Sequence, residues 1–315
     1  MPLFAYFCSN FFRFMEQKQG QLIKGTIAIG ISAILWGFDG VVLTPRLFNL
    51  DVSFVVLVLH LLPFLVMNIF LFKQYNQLKV FVRQDYITIA LVALFGGAIG
   101  TMAIVKALFL VNFEQLSVVV LLQKLQPIFA IILAGILLKE KIKKQFAIWA
   151  SIAVIASYFL TFGFNLPNIS TDSNTIYAAL YALLAAFSFG SSTVFSKKVL
   201  MNHNFVTATF FRYMFTSIFM LIFVIVFGSY TEFYKTTETN WIFFVIIGLS
   251  TGSGAIFVYY YGLRRVKAIV ATISELLFPI SAIIFDYLIN DSFLSPVQLI
   301  SAAIMVYALI RLNTK

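Results

Sequence analysis

The sequence predicts an all-α integral membrane protein, with ten transmembrane helices arranged as two inverted five-helix repeats. Three observations predict it. The 315-residue chain is 61% apolar and only 11% charged, against about 45–50% and about 25% in soluble domains. Ten stretches approach the roughly 20 apolar residues a helix needs to cross a bilayer core. The second half of the chain echoes the first at a spacing near 152 residues.

The ten stretches run over about 24–45, 53–72, 86–110, 115–138, 146–164, 176–197, 205–228, 241–262, 268–289 and 296–312. Short polar breaks such as Lys73-Gln74-Tyr75-Asn76 and Lys139-Glu140-Lys141 separate most of them. The alternating pattern of a transmembrane β-barrel is absent. With a cytoplasmic N-terminus, the inner segments hold 17 Lys and Arg, the outer ones only Arg46 and Lys235, and three fall within spans. Basic loops are retained on the cytoplasmic side, so both termini are expected there, in a cytoplasmic membrane. Losing one span would scramble that alternation. Residues 1–23 form a cytoplasmic lead-in on the membrane surface, with Phe and Tyr interleaved among Arg13, Glu16 and Lys18. They lack the apolar core and small-residue cleavage site of a signal peptide.

Composition also excludes. A net charge of +10 would fit a nucleic-acid binder in a polar chain, but here it is accounted for by the inner loops. Cys8 is the single cysteine, and His60 and His203 form no paired-histidine signature, so no metal site is expected. No phosphate-cradling Walker sequence is present, so ATP hydrolysis is not expected of this chain, and no cofactor is implied. Thr251-Gly252-Ser253-Gly254 superficially resembles a serine motif of intramembrane proteases, but no histidine follows it. An intramembrane enzyme is therefore the remote alternative.

The repeat carries the functional reading. Trp36-Gly37 matches Phe189-Gly190, Gln126-Pro127-Ile128 matches Phe278-Pro279-Ile280, and His60 falls opposite Arg212. Gly97 and Gly252 fit a shift of 155. The units are 24–164 and 176–312, with five helices each; an odd number forces the second to enter the membrane the other way up. Inverted repeats recur in secondary transporters, with the solute site near the midplane between them.

These residues resemble the drug/metabolite transporter superfamily in its EamA-like branch. The resemblance rests on Leu35-Trp36-Gly37, on Pro127 running to Leu137-Leu138-Lys139-Glu140, and on Phe211-Arg212-Tyr213. Tyr261-Gly262-Leu263 and Glu275-Leu276-Leu277-Phe278-Pro279 complete it, from about 24 to 312. It implies a ten-helix carrier with a central cavity that moves small organic solutes by alternating access. His60 stands where the first half usually carries Arg, Asp291 and Ser292 stand at the counterpart of Glu140, and Lys124 is not a general feature.

A charge near the bilayer centre costs about 2.5–3.5 kcal/mol on translocon scales, so a deep ionisable side chain needs a cavity or a partner. Depth selects Asp39, three positions after Trp36, and Lys124, flanked by Gln123. His60, Arg212 and Glu275 each lie about eight residues into a span. With Ser192 beside Gly190, the candidate cavity contacts are Trp36, Asp39, His60, Gln123, Lys124, Ser192, Arg212 and Glu275. The bland alternatives stay open. Asp39 pairs with Lys124 or Arg212, Arg212 snorkels to the cytoplasmic side, His60 is a satisfied interhelical group, and Glu275 is a helix N-terminal charge. Pro127 and Pro279 are hinges or static kinks.

Deep groups of both signs fit an amino acid or related zwitterionic metabolite. If they cancel internally, export of a drug-like lipophilic cation is the alternative. His60, Asp39 or Glu275 would serve a proton as coupling ion. The other partner is the lipid bilayer, and the chain acts as a monomer or a dimer.

Overall fold

A computed structural model of the chain describes residues 2–111, 119, 122–166, 173–290 and 295–313. All regular structure among them is helical. Helix α1, Pro2–Phe38, continues through a π-helical turn, Asp39–Leu43, and a 3₁₀ turn, Thr44–Leu47. The predicted surface lead-in is thus continuous with the first span rather than separate from it, because nothing between residues 2 and 38 breaks the helix.

The chain then forms α2 (Val52–Leu71), α3 (Arg83–Val92) and α4 (Gly100–Leu110). It goes on through α5 (Gln126–Leu137), α6 (Lys144–Phe162), α7 (Ser173–Asn202) and α8 (Phe205–Phe227). Last come α9 (Glu238–Ile247), α10 (Ser253–Leu263), α11 (Ala268–Ser274), α12 (Leu277–Asn290) and α13 (Pro296–Asn313). Wide π turns, Ala93–Ile99 and Gly248–Gly252, join α3 to α4 and α9 to α10, and these sit 155 residues apart at their starts.

Eight helical rods are long and apolar enough to cross a membrane, among the described residues: Gln19–Leu47, Val52–Lys79, Arg83–Leu110, Lys144–Phe162, Ser173–Asn202, Phe205–Phe227, Glu238–Leu263 and Ala268–Ile289. Two shorter apolar helices, Gln126–Leu137 and Pro296–Arg311, fall on the fourth and tenth predicted stretches. The start of the fourth stretch, 115–118, lies outside the described residues.

Local chemistry sets the helix ends. Asp51 caps α2 by accepting from the backbone N–H of Ser53 at 2.9 Å, and Asn204 caps α8 by accepting from Thr207 N–H at 2.8 Å. Thr237 and Asn240 form a reciprocal capping box at α9. Gly228, with φ +77°, ends α8 in the left-handed conformation only glycine adopts freely.

Helix α1 packs on α10 and α12, whereas α7 packs on α4 and α5. Helix α2 packs on α8, and α6 on α13. Applying the repeat shift turns the first pair of contacts into the second and returns the last two onto themselves. The sequence echo is therefore a symmetry of packing. Large apolar side chains such as Ile69, Ile132, Leu180, Ile222 and Ile300 remain exposed on the outer surface, where lipid would cover them.

Candidate functional site

The two repeat-related proline segments are helix breaks. A turn at Lys124 and Leu125 precedes α5, whose second residue is Pro127. A turn at Glu275 and Leu276 separates α11 from α12, whose third residue is Pro279. Proline lacks an N–H, so it sits without penalty in a first helical turn, where that donor has no intrahelical partner. Tight hydrogen bonds mark both corners: Ile128 N–H to Leu125 C=O at 2.9 Å and Phe278 N–H to Glu275 C=O at 2.9 Å. The prolines thus begin half-helices rather than kink continuous ones.

The breaks meet. Gln126 Nε2 donates to Glu275 Oε2 at 2.7 Å, and the Tyr259 hydroxyl donates to Glu275 Oε1 at 2.5 Å. Tyr259 also shares a 3.0 Å hydrogen bond with Thr193, and its ring lies 5.3 Å from that of Trp36. Four rods thus converge on one carboxylate: α5, α7, α10 and the α11–α12 break, with α1 supplying the indole. Trp36 and Glu275 are only half-buried.

One turn away, Lys124 donates to Ser157 Oγ on α6 at 2.8 Å, and Ser157 is fully buried. Gln123 is half-buried and makes no side-chain hydrogen bond among the described residues. Asp39 opens the π turn of the first rod and accepts from the Thr44 hydroxyl at 3.2 Å.

A second cluster surrounds the π turn between α3 and α4. Such a turn displaces backbone carbonyls from the regular ladder, and neighbouring helices satisfy them. Arg212 Nη2 donates to Gly96 C=O at 3.1 Å, Thr216 to Ala93 C=O at 3.3 Å, and Ser192 to Val92 C=O at 3.4 Å. Arg212 Nη1 reaches the Tyr260 hydroxyl at 3.1 Å, which also bonds Ser196 at 2.7 Å. Arg212 Nε has no partner among the described residues. His60 Nδ1 bonds its own helix at Val56 C=O, 2.8 Å away, and its ring lies 5.2 Å from that of Tyr213.

The open alternatives divide accordingly. Arg212 does not snorkel; it is buried at 8% exposure and spent on α3–α4 and α10. Asp39 pairs with neither Lys124 nor Arg212, and no ion pair links the four deep charges among the described residues. The hydroxyls of Ser157, Tyr259 and Tyr260 and the backbone carbonyl of Gly96 take the place of opposite charges. Sequence reading missed Tyr259, Thr193, Tyr260 and Ser157, and took Gln126 as a repeat marker and a flank of Lys124, not as a cavity contact. Each stands in an apolar run where its helix face is set by the tertiary packing. The crevice lined by Ile89, Val92, Ser196, Val199, Ala208 and Tyr260 has no room for even a water-sized occupant, about 0 Å³, against the roughly 300–1,000 Å³ of ordinary small-molecule sites.

The cytoplasmic ends of the predicted topology are also tied. Lys139 adopts φ +53° after α5, and the next residue, Glu140, accepts from the N–H groups of Ala268 at 2.9 Å and Ile269 at 3.1 Å. It thereby caps α11, on the far half of the chain. Lys197 donates to the last carbonyls of α10, at Leu263 and Arg264, at 2.9 and 3.2 Å.

Known proteins share this plan. The model of the EamA-like transporter family matches residues 23–162 and again 176–314. A Fusobacterium nucleatum protein named riboflavin transporter ImpX is 52% identical over 292 residues, covering 92% of this chain and 98% of that protein. The uncharacterized transporter YoaV of Bacillus subtilis is 23% identical over 189 residues, covering 60% of this chain and 63% of that one. One crystal structure superposes with a TM-score of 0.64 at 16% identity, over 91% of this chain and 95% of the other, and shares its fold. With two matched units and a relative aligned along nearly its whole length, the chain belongs to the EamA-like transporter family, as a multi-pass membrane transporter and not an enzyme.

Proposed function

We propose that the protein is a secondary carrier for riboflavin or a closely related vitamin-like solute, working by alternating access. The observation that carries this reading is the 52% identity, along 98% of its length, to a protein named riboflavin transporter. The site chemistry supports it. A flavin is a flat tricycle with a polar edge of alternating carbonyls and ring nitrogens. Trp36, half-buried and packed on the buried Tyr259, offers an aromatic face beside the helix breaks, and aromatic faces stack on such rings. Gln123, Gln126 and Lys124 stand at one break with amide and ammonium donors.

The amino-acid reading drawn from mixed charges has no relative named for it. Of the two deep cations, Arg212 is held by Gly96 and Tyr260. The drug-exporter alternative has no comparable support.

The rest of the proposal is topological. Spans four and ten are supplied by the short helices α5 and α13, giving ten crossings in two inverted units, 24–164 and 176–312, inside a cytoplasmic membrane with both termini cytoplasmic. Trp36, Asp39, His60, Gln123, Lys124, Ser192, Arg212 and Glu275 surround the path between the units, and the breaks at Pro127 and Pro279 act as its hinges. Opening of the path requires parting of the Gln126–Glu275 contact, which joins the two units.

Purified protein in proteoliposomes loaded with unlabelled riboflavin should accumulate labelled riboflavin by counterflow, and riboflavin should raise its thermal stability. Stabilisation by amino acids with no response to riboflavin would reject the flavin reading.

A further inference from the structure

Glu275 is a carboxylate at a break between two membrane-embedded half-helices, and it faces the other half of the molecule. A carboxylate out of water needs a counter-charge, several donors, or a proton. Glu275 has two neutral donors, Gln126 Nε2 and the Tyr259 hydroxyl, and the N-terminal end of α12 next to it. It has no cation. The helices packed around it carry Lys24 and Asp39 on the first rod, Lys124 and Glu140 at the two ends of α5, and Lys197 on α7. They also carry Tyr158 on α6, Tyr260 on α10 and Arg311 on α13. Among the described residues, Tyr259 is the ionisable side chain that hydrogen-bonds the carboxylate, and neither ion pair includes Glu275. The two deep cations are turned to other acceptors.

We infer that Glu275 is a proton-binding site, and that its loading accompanies solute binding so that solute and proton cross in the same direction. This rests on the carrier reading above. The step balances simply. The carboxylate takes a proton from hydronium at the open face, forming one O–H bond and releasing water. The Tyr259 hydroxyl turns its hydrogen to Thr193, 3.0 Å away, and accepts from the new Glu275 O–H. The neutral acid is a weaker acceptor than the carboxylate, so Gln126 Nε2 is freed for a carbonyl of the solute. Proton and solute therefore favour each other's binding, a reciprocal coupling that populates the doubly loaded carrier a symporter moves. When the solute leaves, Gln126 returns to Glu275 and the proton departs. Asp39 is the rival acceptor, but its nearest hydroxyl donor, Thr44, lies in its own rod, and Asp39 takes no part in the contact between the two helix breaks.

The test uses proteoliposomes of the full chain with a pH-sensitive dye inside. Riboflavin added outside should acidify the lumen of wild-type vesicles, and an acid-outside gradient should accelerate uptake. Glu275→Gln should abolish the acidification and make whatever counterflow remains insensitive to pH. Counterflow by the wild type without acidification overturns the symport and leaves the carrier reading standing. Absence of riboflavin counterflow overturns the flavin reading together with the symport built on it. Acidification that survives in Glu275→Gln, or that disappears only in Asp39→Asn, places the proton elsewhere and overturns the assignment. The wild-type dye signal decides the symport by itself, and if Glu275→Gln fails to fold, Glu275→Asp decides the assignment: a shorter carboxyl should keep the acidification with a shifted pH profile, and an unshifted profile overturns it.

Discussion

Gly37 and Gly190 make the same helix crossing in opposite halves of the chain. A Cβ on Gly37 would lie 2.8 Å from Ala282 N and 3.0 Å from Phe278 O, and one on Gly190 would lie 3.0 Å from Ala130 N and 2.9 Å from Gln126 O. Phe278 and Ala282 stand 152 residues after Gln126 and Ala130. The two crossings press α1 and α7 against the half-helices whose ends meet at the Gln126–Glu275 contact. Both Gly37→Ala and Gly190→Ala push a methyl into backbone atoms that cannot rotate away. Each should cost about 1–3 kcal/mol, seen as a lower melting temperature in detergent. Ser281→Ala should relieve Gly37→Ala only in part, since the backbone contacts persist.

Among the described residues Lys124 reaches only the Ser157 hydroxyl and no carboxylate. Lys124→Met should leave a folded protein that riboflavin stabilises less, with affinity reduced about tenfold, equivalent to ~1.4 kcal/mol. Unchanged affinity by flavin fluorescence quenching would remove Lys124 from the solute path.

Glu140 accepts two N–H groups at the start of α11. Loss of such a cap costs about 0.5–2 kcal/mol, so Glu140→Ala should free the first turn of α11. Hydrogen–deuterium exchange at the Ala268 and Ile269 amides should quicken, with the α2–α8 pair unaffected as an internal control.

Lys139 precedes that cap in a left-handed conformation, φ +53°, which suits glycine better. Lys139→Gly should be neutral or stabilising by a few tenths of a kcal/mol in thermal melts, whereas a β-branched residue should destabilise. A clear loss with glycine would show that the lysine side chain, and not the turn, matters.

Asp51 lies ahead of α2, outside the rods. Burial pushes its carboxyl up, while hydrogen bonds from the Ser53 and Ser229 side chains and from the Ser53 and Phe54 amides pull it down further, leaving it below 3.8. A carboxyl depressed in the folded state contributes stability that is complete above its unfolded pKa and is lost as pH falls through the folded one. Thermal melts should therefore lose an Asp51-dependent component only in the acid range below pH 3.8. Asp51→Asn should remove that dependence.

The rods were legible because hydropathy alone defines them: predicted 205–228 is Phe205–Phe227, and 268–289 is Ala268–Ile289. The breaks were half legible. Pro127 and Pro279 announce a disturbance, but whether a helix bends or restarts depends on what accepts the freed backbone groups. The π turn Ala93–Ile99 leaves no signature, since one extra residue per turn in an apolar run changes no pattern. Depth found Glu275 and Lys124, yet their partners could not be read. Tyr259 is one of three consecutive tyrosines, and Ser157 one small residue in an apolar helix.

The packing exchange between the halves has a consequence for biosynthesis. The opening helix finds its neighbours, α10 and α12, near the end of the chain, so it must wait in the bilayer until translation is almost complete. Fragments cut at the midpoint would each lack their companions, yet would reunite when expressed together, because each carries the surfaces the other is missing.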